Sequence, residues 1–184
     1  MQTVCLITPP SAFLLDERVF VALGILKVAA SLERAGYRVE HLDLCGVKNY
    51  EEAVSDHASR SKAEVFGVTA TTPQMPAAVK ISAVLGGMHY TRNPPPRVIL
   101  GGPHITLVNA AAKKGSKRAE NELWTLGAEF DTFVAGDGEL AILDAVKTGA
   151  PKLIDADDPA TPLFMTKEGV EQAKIDGIVT KMAE

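Results

Sequence analysis

A chain of 184 residues suits one α/β domain, large enough to bury roughly two thirds of the surface that its unfolded form exposes. With 19 basic against 23 acidic side chains the net charge is −4, which gives no general attraction to nucleic-acid phosphate. No apolar stretch approaches the ~20 residues of a membrane span, and the first strand pattern follows Met1 without a basic leader, so a soluble, cytoplasmic protein is expected.

Five apolar runs alternate with helical patterns. Residues 4–8 read as the first strand, with Cys5 inside it as a small buried hydrophobe. Residues 23–35 are helical, with Leu23, Leu26, Ala30 and Leu32 broadly on one side and Gly36 as the stop. Residues 38–44 form the second strand, where Val39, His41 and Asp43 alternate with Glu40, Leu42 and Leu44. Residues 49–59 read as a helix that Asn49 would cap, with Glu51 and Glu52 in its first turn. The third strand covers 65–69, and a helix at 77–85 follows Pro76. Asn93-Pro94-Pro95-Pro96 makes a rigid connector into a fourth strand at 98–100. Residues 107–126 are helical with a break near Gly115, where Lys113, Lys114, Lys117 and Arg118 read as a solvated face. The fifth strand is 132–135, and the last helix of the repeat is 139–147.

Short apolar strands alternating with helices predict a parallel sheet covered on both faces. The right-handed crossover rule then predicts an α/β, doubly wound, Rossmann-like or flavodoxin-like sheet of five strands in the order 2-1-3-4-5. Residues 1–150 would form this domain, and residues 151–184 a C-terminal extension or linker. In that extension Asp155, Asp157 and Asp158 read as a polar connector, 163–165 as a short edge strand, Lys167-Glu168-Gly169 as a turn and 170–182 as a terminal helix.

Four small, polar or glycine-rich turns sit where strands end: Thr8-Pro9-Pro10-Ser11, Thr69-Ala70-Thr71-Thr72, Gly101-Gly102-Pro103-His104 and Gly136-Asp137-Gly138-Glu139. In an open parallel sheet these ends share one edge, and ligands bind in the crevice there. Gly101-Gly102 after a buried strand means that backbone, not side chain, meets what lies there, or that the turn is simply tight. Pro103 fixes the exit and His104 reads first as a polar residue near the start of the next segment. Thr69, Thr71 and Thr72 offer hydroxyls to a ligand nitrogen or phosphate, or cap their own turn. Gly136-Asp137-Gly138-Glu139-Leu140-Ala141 matches the letters of a G-x-G-x-x-A dinucleotide fingerprint. No βαβ unit follows it, however, and Asp137 with Glu139 would repel a pyrophosphate. A nucleotide- or small-ligand-binding enzyme using Gly136 and Gly138 is the alternative reading, and a ligand-free interaction module a third. A phospho-receiver domain would need an acidic residue where Thr69 stands, and a flavodoxin phosphate loop would need the backbone donors that Pro9-Pro10 removes.

The ordered set of these motifs resembles the cobalamin-binding domain at the N-terminus of cobalamin-dependent radical S-adenosylmethionine enzymes. The matching residues are the strand followed by Pro9-Pro10, Leu23-Gly24-Ile25 with Ala29-Ala30, Leu32 and Gly36, and then Val39 and Asp43. The later match is Gly67-Val68-Thr69, Gly101-Gly102-Pro103-His104 and the stretch from Asp131 through Glu139, over about residues 2–148 in all. The resemblance implies a corrin over the strand ends and a nucleotide tail threaded toward the sheet. Thr71 and Thr72 would meet the tail, Gly101-Gly102 would give it room, and Thr69 and Pro103 would also belong to the cofactor site. Pro10, Ser11, His104 and Gly136-Asp137-Gly138-Glu139 would lie near the corrin or its amides.

Two departures from relatives of that kind shape the expected function. The Asp-x-His-x-x-Gly loop of methionine synthases and mutases is replaced by Pro9-Pro10-Ser11-Ala12-Phe13-Leu14, and none of His41, His57, His89 and His104 lies in it. Cobalt therefore should receive no histidine from that loop, and no protein metal ligand is expected. Radical enzymes of this kind also hold an iron–sulfur cluster on three close cysteines, which Cys5 and Cys45 cannot supply. The expectation is a cobalamin-binding protein with no catalytic residues or radical chemistry of its own. It would be a carrier, a partner of a separate radical S-adenosylmethionine enzyme or domain, or an excised domain.

Overall fold

Six strands, all parallel, form one sheet in the computed structural model, which describes residues 1–11 and 22–158. The strands are β1 (Thr3–Thr8), β2 (Arg38–Asp43), β3 (Val65–Thr69), β4 (Arg97–Gly101), β5 (Thr132–Ala135) and β6 (Leu153–Asp155). Their spatial order is β2-β1-β3-β4-β5-β6. The helices are α1 (Leu23–Arg34), α2 (Tyr50–Arg60), α3 (Met75–Gly87), α4 (Pro103–Lys113), α5 (Lys117–Leu126) and α6 (Gly138–Ala145). Among the described residues no helix is long and apolar enough to cross a membrane.

Side chains alternate across the sheet and so feed two cores. Val4, Leu6, Val65, Ile99 and Val134 pack beneath α1 and α6 with Leu32, Ala141, Ile142 and Ala145. Cys5, Ile7, Phe66, Val68, Leu100 and Phe133 pack on the other face, under the helices that carry Val54, Ala58, Ile81, Leu85, Ile105 and Leu126. All six residues of β1 are buried, as expected of a central strand covered on both sides. Each fully buried leucine or isoleucine here contributes about 1.5–3 kcal/mol.

The local stops follow from the sequence. Gly36, at φ +89°, closes α1 with Tyr37 N–H donating to the Leu32 carbonyl and Gly36 N–H to that of Glu33, the two bonds of a Schellman ending. The expected break near Gly115 is present, and the Ser116 hydroxyl accepts from the Ala119 N–H to start α5. Asn49 stands at the N-cap of α2 as read, but its side chain donates to Glu52 and caps no backbone group.

The expectation of five strands is corrected to six. β6 pairs with β5 through Leu153, Ile154 and Asp155, inside the stretch taken for an extension. Its three residues run straight into aspartates, so no apolar run announces it. Its connection is also unusual. The chain crosses from β1 to β2 over α1, and from β5 toward the opposite edge over α6, which packs on the same face as α1. The last crossover thus has the opposite hand to the first, against the rule that framed the expected topology. The elements expected at 163–165, 167–169 and 170–182, and Ala12, Phe13 and Leu14 of the first loop, lie outside the described residues.

Candidate functional site

Hydrogen bonds lace the strand-end turns into one rim. Gln74 Nε2 donates to the Pro9 carbonyl at 2.8 Å, joining the first turn to the second. Ala70 N–H donates to the Gly101 carbonyl, and His104 N–H to the Ala70 carbonyl, both at 3.0 Å. The Thr106 hydroxyl donates to the Gly102 carbonyl and accepts from Gly136 N–H, each at 3.0 Å, joining the third turn to the fourth. The rim is thereby fixed before any ligand arrives.

Two glycines in this rim have a conformational duty. Gly102 has φ +98°, and a Cβ there would stand 2.7 Å from Thr69 Oγ1 and 2.8 Å from Ala70 N. Gly136 has φ +80°, and a Cβ would stand 2.5 Å from Asp157 Oδ1. The Gly136 N–H is already donated to Thr106, so this turn is not the open phosphate cradle that the dinucleotide reading needs.

Below the rim, between the sheet and α1 and α6, lies a cavity of about 380 Å³. Its floor is Leu6, Gly67, Ile99 and Val134 from four adjacent strands, and its lid is Val28 of α1 and Ile142 of α6. Thr69, Gly101, Gly102, Pro103, Gly136, Asp137, Gly138 and Glu139 surround its mouth. Gly101 differs from its neighbour, because a Cβ there would meet only Val134, at 3.8 Å and beyond. Glycine at 101 is therefore not demanded by packing, and any side chain would project from the cavity wall. Gly138 lets α6 approach α1, its Cβ position lying 3.1 Å from Val28 Cγ2.

Charges of both signs stand at the mouth. Lys27 Nζ lies 3.6 Å from Glu139 Oε1, whose carboxylate also suits the first turn of α6. Beyond the rim, Asp155 accepts from Asn109 Nδ2 and Lys113 Nζ, both at 2.8 Å, and from the Asp157 N–H. Burial alone would raise the Asp155 carboxyl, but these donors together hold it below the usual carboxylate range. On the opposite face of the sheet, burial reinforced by Glu40 pushes the Cys5 thiol up to about 12, so it is no nucleophile at neutral pH.

The structure brings eight of the expected residues to the cavity and leaves five outside it. Thr71 forms a capping box with Gln74, and Pro10 and Ser11 follow β1 without lining the cavity. His104 is buried in α4, its Nδ1 3.1 Å from the Thr72 hydroxyl and its Nε2 3.0 Å from Glu122. The hydroxyl and imidazole thus serve each other. Sequence reasoning missed the apolar walls, which look like ordinary core, and Lys27. It also passed over Gly67 as a site residue, although a glycine inside a buried strand signals close approach. A Cβ at Gly67 would stand 2.9 Å from Leu6 Cδ2, the mobile end of a side chain.

Residues 17–146 match the family described as B12 binding domain. No curated protein matches the chain. Two solved structures of the radical S-adenosylmethionine methyltransferase TsrM from Kitasatospora setae are similar, each at 17% identity and a TM-score of 0.44 over 55% of this chain. One holds tryptophan substrate and a S-adenosylmethionine analogue, aza-SAM; the other holds cobalamin and a [4Fe-4S] cluster. The matched part is 19% and 18% of those chains respectively, so the match covers about a fifth of that enzyme's length.

Proposed function

The chain belongs to the B12-binding domain family, whose cofactor is cobalamin, and from the geometry of the cavity we propose how this chain holds it. The nucleotide tail enters between the sheet and α1 and α6, and the corrin lies over the rim of strand-end turns. The observation that carries this reading is the pair of side-chain-free positions, Gly67 and Gly101, on adjacent strands of the cavity wall. A cavity of about 380 Å³ suits a base with its sugar and is too small for a corrin, which must stay outside it. Leu6, Val28, Ile99, Val134 and Ile142 offer the heterocycle apolar contact, and Thr69 offers a hydroxyl. Lys27, at the mouth beside Glu139, is a cation that can turn from that partner to the tail's phosphate.

Cobalamin supplies a cobalt centre able to carry an alkyl group; the residues here bind and orient it. Binding is base-off with no protein histidine on cobalt. All four histidines of the sequence are described, and three of them already hold polar partners. His41 pairs with Thr8, His57 with Glu40 on the far face, His104 is held between Thr72 and Glu122, and His89 is exposed on a short 3₁₀ turn. The domain serves as a cobalamin carrier for a radical S-adenosylmethionine unit, on the same polypeptide or another. The ordered motif set read from the sequence supports that partner, and a cluster's thiolates would come from it. Electron paramagnetic resonance of the cobalt(II) form tests the binding mode. The expected spectrum lacks nitrogen superhyperfine splitting. A triplet from one coordinated nitrogen would overturn it, and loss of that triplet in His104→Ala would identify the donor.

A further inference from the structure

On the face of the sheet opposite the cavity, three unlike donor atoms converge from three elements. Cys5 on β1 and Glu40 on β2 are directly paired in register, so their side chains leave the sheet on one side, and His57 reaches them from α2. Cys5 Sγ lies 3.5 Å from His57 Nε2, which lies 3.0 Å from Glu40 Oε2, and all three ligand atoms fall within 4.8 Å of one another. From this convergence we propose that Cys5, Glu40 and His57 form a binding site for Zn²⁺, with water in a fourth position. It is independent of the cobalamin reading: Leu6, the next residue on β1, faces the cavity instead.

The distances suit the ion. Zinc bonds of about 2.3 Å to sulfur and 2.0–2.2 Å to nitrogen or oxygen, at tetrahedral angles, separate the donors by about 3.3–3.6 Å. Small side-chain adjustments therefore admit it. A mixed sulfur, nitrogen and oxygen set favours zinc over magnesium or calcium, which take oxygen alone. Hydrogen bonding by itself serves this cluster poorly. A ring nitrogen carries one proton or one lone pair, yet Nε2 faces both the sulfur and the carboxylate. A cation among the three lone pairs satisfies all of them.

The surroundings are those of a ligand set. Ser61 Oγ donates to the same Glu40 Oε2 at 2.6 Å and accepts from the Ala63 N–H at 2.9 Å, which orients that oxygen through one of its lone pairs and leaves the other for the ion. Cys5 is fully buried, while the His57 and Glu40 side chains are 30% and 22% exposed, so the ion enters from the α2 side. As the sulfur–zinc bond forms, the thiol S–H bond breaks and its proton leaves to solvent; nothing is oxidised or reduced. The bound ion would pin edge strand β2 and helix α2 to the centre of the sheet.

The test uses cobalamin-free chain stripped of metal. Titration with Cd²⁺ should produce a thiolate-to-metal ultraviolet absorption that saturates at one ion per chain, and Zn²⁺ should abolish it by competition and raise the melting temperature. Cys45→Ser should leave the titration unchanged. Cys5→Ala should remove the absorption, and His57→Ala, at a partly exposed position and with its fold checked by circular dichroism, should weaken Cd²⁺ and Zn²⁺ binding at least tenfold. No thiolate absorption, absorption that persists in Cys5→Ala and vanishes in Cys45→Ser, or unchanged affinity in His57→Ala would each overturn the assignment.

Discussion

Gly101→Val places a side chain on the cavity wall without disturbing the frame that holds it. A Cβ at 101 meets only Val134 O at 3.8 Å and Val134 Cβ at 4.0 Å, which are ordinary contacts. Valine is also a better strand residue than glycine, so the folded chain should be as stable as wild type or more so. Three added carbons, each taking up about as much space as a water's ~30 Å³ share of the liquid, fill roughly a quarter of the cavity of about 380 Å³. Overfilling of this size costs about 1–3 kcal/mol, which weakens binding about 5- to 150-fold. The assay is titration with hydroxocobalamin followed by absorbance, with circular dichroism and a melting curve to establish the fold. A folded Gly101→Val chain that binds with wild-type affinity would refute the placement of the tail. Gly102→Val is the uninformative neighbour. Its Cβ would stand 2.7 Å from Thr69 Oγ1 in a backbone with φ +98°, so lost binding there would report a damaged fold.

Two further outcomes are expected. Asp155→Ala should destabilise the chain by about 1–3 kcal/mol near neutral pH, because buried Asn109 loses its acceptor. The wild-type carboxyl is lower in the folded state than its ordinary 3.8. Its contribution is therefore complete above that value and is lost as pH falls through the folded value, and urea midpoints against pH should show the gap between the two chains narrowing there. This chain alone, given S-adenosylmethionine and a reductant, should form no 5′-deoxyadenosine, since its two cysteines cannot hold a cluster; catalytic turnover in material free of contaminating enzyme would contradict this.

How far the sequence could be read depended on what kind of signal each residue gives. β5 was placed to the residue at 132–135, because a buried strand between turns is a local pattern. β6 was missed because three residues ending in aspartate have no period, and because its crossover has the less common hand. α4 begins at Pro103 rather than 107, since Gly-Pro-His was read as turn chemistry when Pro at the first helical position is also a start signal. At the site, the glycine pair was legible as either a tight turn or a close approach, and the fold divides the two roles: Gly102 makes the turn and Gly101 leaves the wall open. The walls were not legible, since Leu6, Val28 and Ile142 carry the same apolar pattern whether they meet a ligand or another side chain. The destination of His104 was also hidden: only the fold brings Thr72 and Glu122, 32 and 18 residues away, to its two nitrogens.

The central claim is that this chain holds cobalamin by its nucleotide tail in the cavity beside Gly67 and Gly101. It is tested most directly by mixing the purified chain with excess hydroxocobalamin and passing it through gel filtration. The expected result is red protein carrying one cobalamin per chain, with the colour much reduced in Gly101→Val. Colour that separates completely from the folded wild-type protein would contradict the account.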